Sequence, residues 1–354
     1  MLEITCCGSP YEIGFQHGSQ AKELVHGSIE FYEDYFQRMS KMSWATAEDV
    51  AMKFRPFLEQ HVPHLVEEMQ GIADGAGVSL PAVFALNART EISMGMMDDG
   101  CTSLAWKGDD FSVAGQNWDW EAAQKARLVI LHIKPNQSGI APRAKISLAT
   151  EAGLLSKSGL NSHGVAVFVN AIKAAGVKFD ALPIHIALRT VLDCESRLKA
   201  IARLLSLTLG TSGHIMIADK TGGTSLEFSH LDIIQMEMAN GQIAHTNHFL
   251  AKHDPAVKDS HIFPDSITRQ KRIMLLLEQA RQQEQGIKAP AESFEKMLED
   301  EEGFPTAINR KSSPIRQSET LYSFVADLNK RTARLRLGRP NECEGVWEFK
   351  PVEL

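Results

Sequence analysis

The apolar periodicity of the chain changes once, close to residue 100, and this switch limits the possible folds more than any other feature. Before it, apolar residues recur at helical spacing, as in "YEIGFQHGSQAKELVHGSIEFYEDYFQRM". After it, "TSLAW", "FSVAGQNWDW", "RLVILHI", "AKISLAT" and "GVAVFVNA" alternate with period two or form short apolar runs. Gly, Asn, Asp and Pro separate these runs, which is the pattern of strands joined by turns.

Local signals refine this outline. "LEITC" reads as a short strand, and Ser9-Pro10 supplies an N-cap and an N1 proline for the first helix. Helical runs follow at about 46–60 and 62–75, and Ser79 before Leu80-Pro81 starts another. In the second part "LPIHIALRTVLDCESRLKAIARLLS" and the amphipathic "SITRQKRIMLLLEQARQQEQ" interrupt the strands. "HIMIADK", "TSLEFS", "DIIQMEM" and "QIAHTNH" resume them, and "LYSFVADLNKRTARLRLG" predicts a hairpin turning at Asp327–Lys330. Hairpins with long helical insertions, and no steady β-α alternation, predict stacked α and β layers rather than a doubly wound parallel sheet. The glycine-containing stretch Asp74–Ser79 matches neither phosphate-binding fingerprint.

Composition narrows function. A net charge of −7 argues against nucleic acid, which needs a basic face. No run of eighteen apolar residues is present, and the opening "MLEITCCGSPYEIG" lacks the basic and apolar regions of a secretory signal. Five scattered cysteines suit free thiols in a reducing compartment. The expected location is the cytoplasm, because the final Val-Glu-Leu is a poor peroxisomal tripeptide.

At the switch stands Asp99-Gly100-Cys101-Thr102-Ser103. A lone cysteine is by default a small buried residue. Two chemical readings compete with that one. A distant histidine can activate the thiol, although no papain-type signature surrounds it. Alternatively, cleavage of Gly100-Cys101 would give Cys101 an α-amine with a pKa of about 7.7–8.0, the local base of N-terminal nucleophiles. Gly100, lacking Cβ, suits the strained turn that such a cleavage requires.

Further stretches carry a resemblance that spans nearly the whole chain in order. "PYEIGFQHGSQAK", "LNARTE", "DGCT", "GQNWD", "EAG", "GLNSHGVAV", "IHIALR", "LEFS", "HTNH" and "LRLGRP" resemble the acyl-coenzyme A:6-aminopenicillanic acid acyltransferase family, also called isopenicillin N acyltransferases. That family is similar to the bile-salt and penicillin V hydrolases. The resemblance implies an N-terminal-nucleophile hydrolase fold, an α+β four-layer α-β-β-α sandwich. It implies a precursor that cuts itself into an α chain, 1–100, and a β chain, 101–354, which together form one folded domain.

The resemblance also implies roles. Cys101 matches the nucleophile and Gly100-Cys101 the scissile bond. Asp119 in "QNWDW" matches the residue that holds the nucleophile's amine and the substrate amine. Asn247 in "HTNH" matches the oxyanion donor, and Arg310 in "TAINRK" an active-site arginine that orients a carboxylate or the thiolate. No metal or bound cofactor is implied. An acyl-coenzyme A thioester and isopenicillin N would be acyl donors, and 6-aminopenicillanic acid the amine acceptor.

An amidohydrolase or peptide acyltransferase with a non-penicillin substrate, and a catalytically silent binding protein, are the alternatives. Where the penicillin enzymes carry an aromatic pair after "NWD", this chain has Trp120-Glu121. Trp118 and Trp120 fit an acyl pocket or the core equally well. Arg89 and Glu91 read as structural, with processing as the other option. His245, His248 and His253 read as polar structural residues rather than metal ligands.

Overall fold

The computed structural model describes residues 1–93, 100–136, 143–257, 262–283, 290–314 and 316–354. Asp99 and the end of the last predicted helix, 284–285, lie outside them.

Among the described residues, two sheets pack face to face. The first has eight strands in the order β1 (Leu2–Gly8), β4 (Leu128–Pro135), β5 (Ile146–Glu151), β6 (Ser158–Asn161), β7 (Ala166–Ala171), β8 (Gly213–Asp219), β9 (Gly222–Phe228) and β10 (Ile233–Glu237). The second has six, in the order β11 (Gln242–His245), β2 (Thr102–Lys107), β3 (Ser112–Glu121), β12 (Ser318–Asp327), β13 (Thr332–Leu337) and β14 (Gly345–Phe349). Strands β2 and β3 face β7 and β8 across the interior. Because helices cover the faces turned away from this interior, β4 to β9 are nearly continuous buried runs.

Helices cover both outer faces. α1 (Pro10–Gln20) lies on β1 and β4, α8 (Ile184–Leu192) on β6 and β7, and α9 (Arg197–Leu207) on β8. On the other side α10 (Pro264–Gln282) covers β2 and β11, and α11 (Pro290–Leu298) covers β3 and β12. The order is thus α-β-β-α, as expected. The amino-terminal part adds α2 (Lys22–Ser40), α3 (Trp44–Met52), α4 (Arg55–His61), α5 (Pro63–Ala76), α6 (Leu80–Asn87) and α7 (Arg89–Ile92).

Local chemistry explains the boundaries. Ser9 caps α1 and forms a reciprocal capping box with Glu12. The predicted first helix is two helices, broken at Ala21, whose φ of −104° and ψ of 21° are not helical. Likewise the "IHIALR…ARLLS" run breaks after α8, and Ser196 caps α9 by accepting the Lys199 N–H. Strand β14 and helix α11 were not apparent in the sequence pattern.

Strand pairing and buried polar contacts bind the first hundred residues to the rest. β1 pairs in parallel with β4, from Leu2 opposite Val129 to Gly8 opposite Pro135. Glu151 on β5 is completely buried and accepts from Arg89 at 3.0 Å, Lys157 at 3.1 Å and Gln124 at 3.0 Å, and also from the Tyr32 hydroxyl. Burial pushes the Glu151 carboxyl up, but Arg89 and Lys157 outweigh it and hold the group well below the usual range. Arg89 thus ties the amino-terminal helices to β5. Glu91 caps the start of α8 by accepting the Ile184 N–H at 2.9 Å, and burial pushes its carboxyl up to about 7.

α1 and α5 cross at very short range. A Cβ on Gly14 would lie 1.9 Å from the Glu68 carbonyl oxygen, and one on Gly71 would lie 2.1 Å from that of Tyr11. Because the obstacles are backbone atoms in helices, neither neighbour can yield cheaply. Gly71→Val is expected to destabilise the protein by about 3 kcal/mol or more. A lower thermal-unfolding midpoint would show this, and an unchanged midpoint would contradict the close crossing.

Candidate active site

Sheet register assembles the site. β11 runs antiparallel to β2 with His245 opposite Ser103, so two further residues bring Asn247 level with Cys101. On the other side Thr102 lies opposite Asn117 of β3, so the same continuation brings Asp119 level with Gly100. Next to β3, Thr320 of β12 stands opposite Asp119. Asp119, Asn247 and Thr320, three residues far apart in sequence, thus meet at one end of the six-stranded sheet, around the Gly100-Cys101 bond.

The contacts are specific. The Cys101 N–H donates to Asn247 Oδ1 at 2.8 Å, and Asn247 Nδ2 donates to the Ala171 carbonyl at 3.0 Å. The Thr320 hydroxyl donates to Asp119 Oδ1 at 2.7 Å, and Arg310 Nε lies 3.3 Å from Asp119 Oδ2. Arg310 also packs closely on Gly100, since a Cβ there would lie 2.7 Å from its Nε. Any side chain at position 100 would therefore push this guanidinium away from Asp119. The structure brings Gly100, Cys101, Asp119, Asn247 and Arg310 together, and all are buried.

Two residues were missed at the sequence level. Arg269 Nη1 donates to the Cys101 carbonyl at 2.6 Å and to Thr102 Oγ1 at 3.1 Å, while its Nη2 donates to Asn247 Oδ1 at 2.9 Å. Asp265, one turn earlier on α10, pairs closely with Arg310 and lies 3.4 Å from Arg269 and 3.6 Å from Arg316. Burial pushes the Asp265 carboxyl up, but Arg269 and Arg310 outweigh it and leave it below its ordinary value. The available signal was position within the helix. Ser266, Arg269, Ile273 and Leu277 form the buried stripe of α10, so Arg269 occupies a place that the pattern reserves for an apolar residue.

Neighbouring groups support this arrangement. Ser103 Oγ donates to Asn170 Oδ1 at 2.6 Å, and Asn170 Nδ2 donates to the His245 carbonyl at 3.1 Å, tying β2 to the segment that carries Asn247. His245 pairs with buried Glu227 at 2.6 Å, and His253 bridges Glu227 at 3.1 Å and Asp232 at 2.7 Å. His248 Nδ1 shares a hydrogen bond with Ser266 Oγ at 2.8 Å. The sequence showed no acidic partner for these histidines, because Glu227 and Asp232 arrive from the neighbouring sheet.

Trp118 and Trp120 are both buried. Lys157 Nζ lies 3.7 Å from the Trp118 ring, and Trp120 packs on Tyr35 with ring centroids 5.4 Å apart. Trp120 also lines a cavity of about 190 Å³ with Arg38, Glu121, Arg316 and Ser318. Glu121 is not an unpaired carboxylate there, since Arg38 Nη2 lies 3.1 Å from it. The cavity adjoins the cluster through Ser318, whose hydroxyl accepts from Arg310 at 3.5 Å.

Comparison with known proteins identifies the family and the fold. A family model described as acyl-coenzyme A:6-aminopenicillanic acid acyl-transferase matches residues 106–342. The 40 kDa form of acyl-coenzyme A:6-aminopenicillanic-acid-acyltransferase from Emericella nidulans is 37% identical over 347 residues, spanning 96% of this chain and 94% of that protein. Among solved structures, a mutant conjugated bile acid hydrolase from Clostridium perfringens superposes with a TM-score of 0.50 at 13% identity, over 71% of this chain and 92% of its own. Penicillin V acylase from Agrobacterium tumefaciens gives a TM-score of 0.44 at 13% identity, over 67% and 83%. The bile acid hydrolase similarity carries the fold, and the sequence matches carry the family. The chain belongs to the acyl-coenzyme A:6-aminopenicillanic acid acyltransferase family and is an acyl-transferring enzyme built on the N-terminal-nucleophile hydrolase fold.

Proposed function

We propose that this enzyme cuts itself between Gly100 and Cys101 and then transfers acyl groups through the Cys101 thiol to an amine of the 6-aminopenicillanic acid type. The observation that supports this most is the grip on the backbone of Cys101 and on the residue before it. Asn247 and Arg269 hold the two backbone groups of Cys101, while Arg310 packs against Gly100.

In processing, the Cys101 sulfur attacks the Gly100 carbonyl carbon. The C–N bond breaks as its nitrogen takes up a proton, leaving a thioester at Gly100. Water hydrolyses that thioester and leaves the Gly100 carboxylate, a free thiol and the Cys101 α-amine. The two fragments stay together through the β1–β4 pairing and the contacts of Tyr32 and Arg89 with Glu151.

In turnover, the neutral amine takes the thiol proton and the thiolate attacks the donor carbonyl. Asn247 Oδ1 receives the amine, and its amide N–H is the donor for the oxyanion, an interaction typically worth about 3 kcal/mol of barrier. Collapse forms an acyl-cysteine thioester. The leaving coenzyme A thiol, or the amine of an amide donor, carries away the proton. An acceptor amine or water then attacks the thioester. Arg310 orients the substrate carboxylate, and Asp119 holds Arg310 in place. Coenzyme A thioesters are substrates in this scheme, and no resident cofactor takes part.

The activity is tested by incubating the purified protein with phenylacetyl-coenzyme A and 6-aminopenicillanic acid. Formation of the acylated amine is expected. Neither acyl transfer nor hydrolysis of any thioester or amide donor would contradict the reading.

Glu121 addresses acyl preference. An apolar acyl chain in its cavity would desolvate the Glu121–Arg38 pair, which is costly. Glu121→Phe is therefore expected to raise the ratio of phenylacetyl to polar acyl transfer several-fold. An unchanged ratio in competition assays would show that the acyl group binds elsewhere.

A further inference from the structure

We propose that Arg269 is a positioning residue for the nucleophile, setting both the backbone of Cys101 and the facing of the Asn247 amide through one guanidinium. The inference rests on the proposed cysteine mechanism and goes beyond it by giving Arg269 a role in its steps.

The geometry is a three-point clamp. One nitrogen of Arg269 holds the Cys101 carbonyl oxygen and the Thr102 hydroxyl, and the other holds Asn247 Oδ1. Asp265 braces the same guanidinium from one turn earlier on α10. The guanidinium is rigid and planar, so fixing Cys101 fixes Asn247 relative to it.

The second contact, together with the Ala171 carbonyl that accepts from Asn247 Nδ2 at 3.0 Å, sets which end of the Asn247 side chain faces the nucleophile. In the precursor, Oδ1 accepts from both the Cys101 N–H and Arg269. After cleavage Cys101 carries an amine, and in its neutral form that amine both donates and accepts. An amide could then turn round and donate to the amine lone pair, which would occupy the base and remove the donor from the oxyanion. With Arg269 in place, the turned amide would point its NH₂ group at a cation that can only donate. Arg269 thus keeps the carbonyl end on the amine and the N–H end away from it.

Charge supplies a second effect of the same contact. The charged and titratable groups around Cys101 include Arg269 and Asp265 from α10, Asp119 from β3, Arg310 and Arg316 from the segment before β12, and His248 beside Asn247. Burial and the nearby His245 and Arg269 lower the pKa of His248, which favours its neutral form. Loss of Arg269 removes one positive charge beside Cys101, which favours the protonated thiol and the protonated amine. Both changes move activity towards higher pH.

The test compares full-length wild type with Arg269→Gln and Arg269→Lys. Intact mass gives the rate of cleavage between Gly100 and Cys101 across pH, and kcat/KM for acyl transfer is followed over the same range. Circular dichroism checks that each variant is folded. Arg269→Gln should cleave at least roughly tenfold more slowly near neutral pH, with the acid limb of its profile raised by about half a unit or more. Arg269→Lys, which keeps a donor and the charge, should cleave at an intermediate rate with the acid limb near that of wild type. A glutamine variant that stays whole at every pH while the lysine variant cuts supports the proposal equally. A folded glutamine variant with wild-type rates, or with an unmoved acid limb, overturns it. So does a folded lysine variant that loses as much as the glutamine one. If wild type itself never cleaves, the underlying cysteine mechanism falls first. If wild type cleaves and only these differences are missing, the role of Arg269 alone is refuted.

Discussion

Replacing Cys101 with alanine is expected to leave the chain whole and to abolish acyl transfer, with a loss of roughly 10⁵-fold or more. The size of this effect follows from the double use of one thiol. The same sulfur would open the Gly100-Cys101 bond and then carry the acyl group, so its removal stops both reactions. Alanine keeps the backbone amide on Asn247 and the carbonyl on Arg269, so the surrounding grip survives. Cys101 is completely buried, and losing its sulfur should cost only about 1 kcal/mol of stability. Cys101→Ser should cut slowly, because a hydroxyl is the weaker nucleophile. Gel electrophoresis and a transfer assay on the folded variants check both statements. Cleavage of Cys101→Ala at the wild-type rate would show that another group or a contaminating protease is responsible.

The second large effect is expected at Asn247. Asn247→Ala removes the acceptor of the Cys101 N–H and of Arg269 Nη2, as well as the donor proposed for the oxyanion. Leaving buried donors unpaired costs about 1–3 kcal/mol each, so some loss of stability should accompany the loss of rate. Turnover should fall by about 10²–10³-fold. Asn247→Asp separates the two ends of the side chain. It keeps an acceptor for Cys101 and gains an ion pair with Arg269, yet it has no N–H and adds negative charge where negative charge develops. It should therefore hold its fold better than the alanine variant and transfer acyl groups no faster. Near wild-type transfer by Asn247→Ala would remove Asn247 from the mechanism.

What could be read from sequence followed short-range chemistry. The switch of period near residue 100, the Ser9 cap and the hairpin at Asp327–Lys330 all depend on neighbours within a few positions, and the structure shows each. Long-range pairing was not readable. Nothing in "LEITC" names β4, more than a hundred residues away, as its parallel partner. The buried charge on Glu151 likewise depends on Arg89, Lys157 and Gln124 converging from separate elements.

The site divides in the same way. Cys101 stood out because its neighbours and the change of period made chemical sense together. Asp119, Asn247 and Arg310 were identified by family resemblance, since an isolated Asp, Asn or Arg has no signature. Arg269 escaped both routes, although it breaks the apolar stripe of α10 formed with Ile273 and Leu277. A charged residue on the buried face of an amphipathic helix needs a partner, and here the partners are the backbone of Cys101 and the amide of Asn247.

The central claim is that Cys101 becomes an N-terminal nucleophile that carries the acyl group, and intact mass spectrometry tests it most directly. The purified wild-type protein is measured before and after brief exposure to an acyl-coenzyme A. Scaling 39.1 kDa by 100 and 254 of 354 residues predicts fragments of about 11 and 28 kDa, divided between Gly100 and Cys101. The larger fragment should gain the mass of one acyl group, on the peptide that begins with Cys101. A chain that stays whole after prolonged incubation, or an acyl group found on any other residue, would contradict the account.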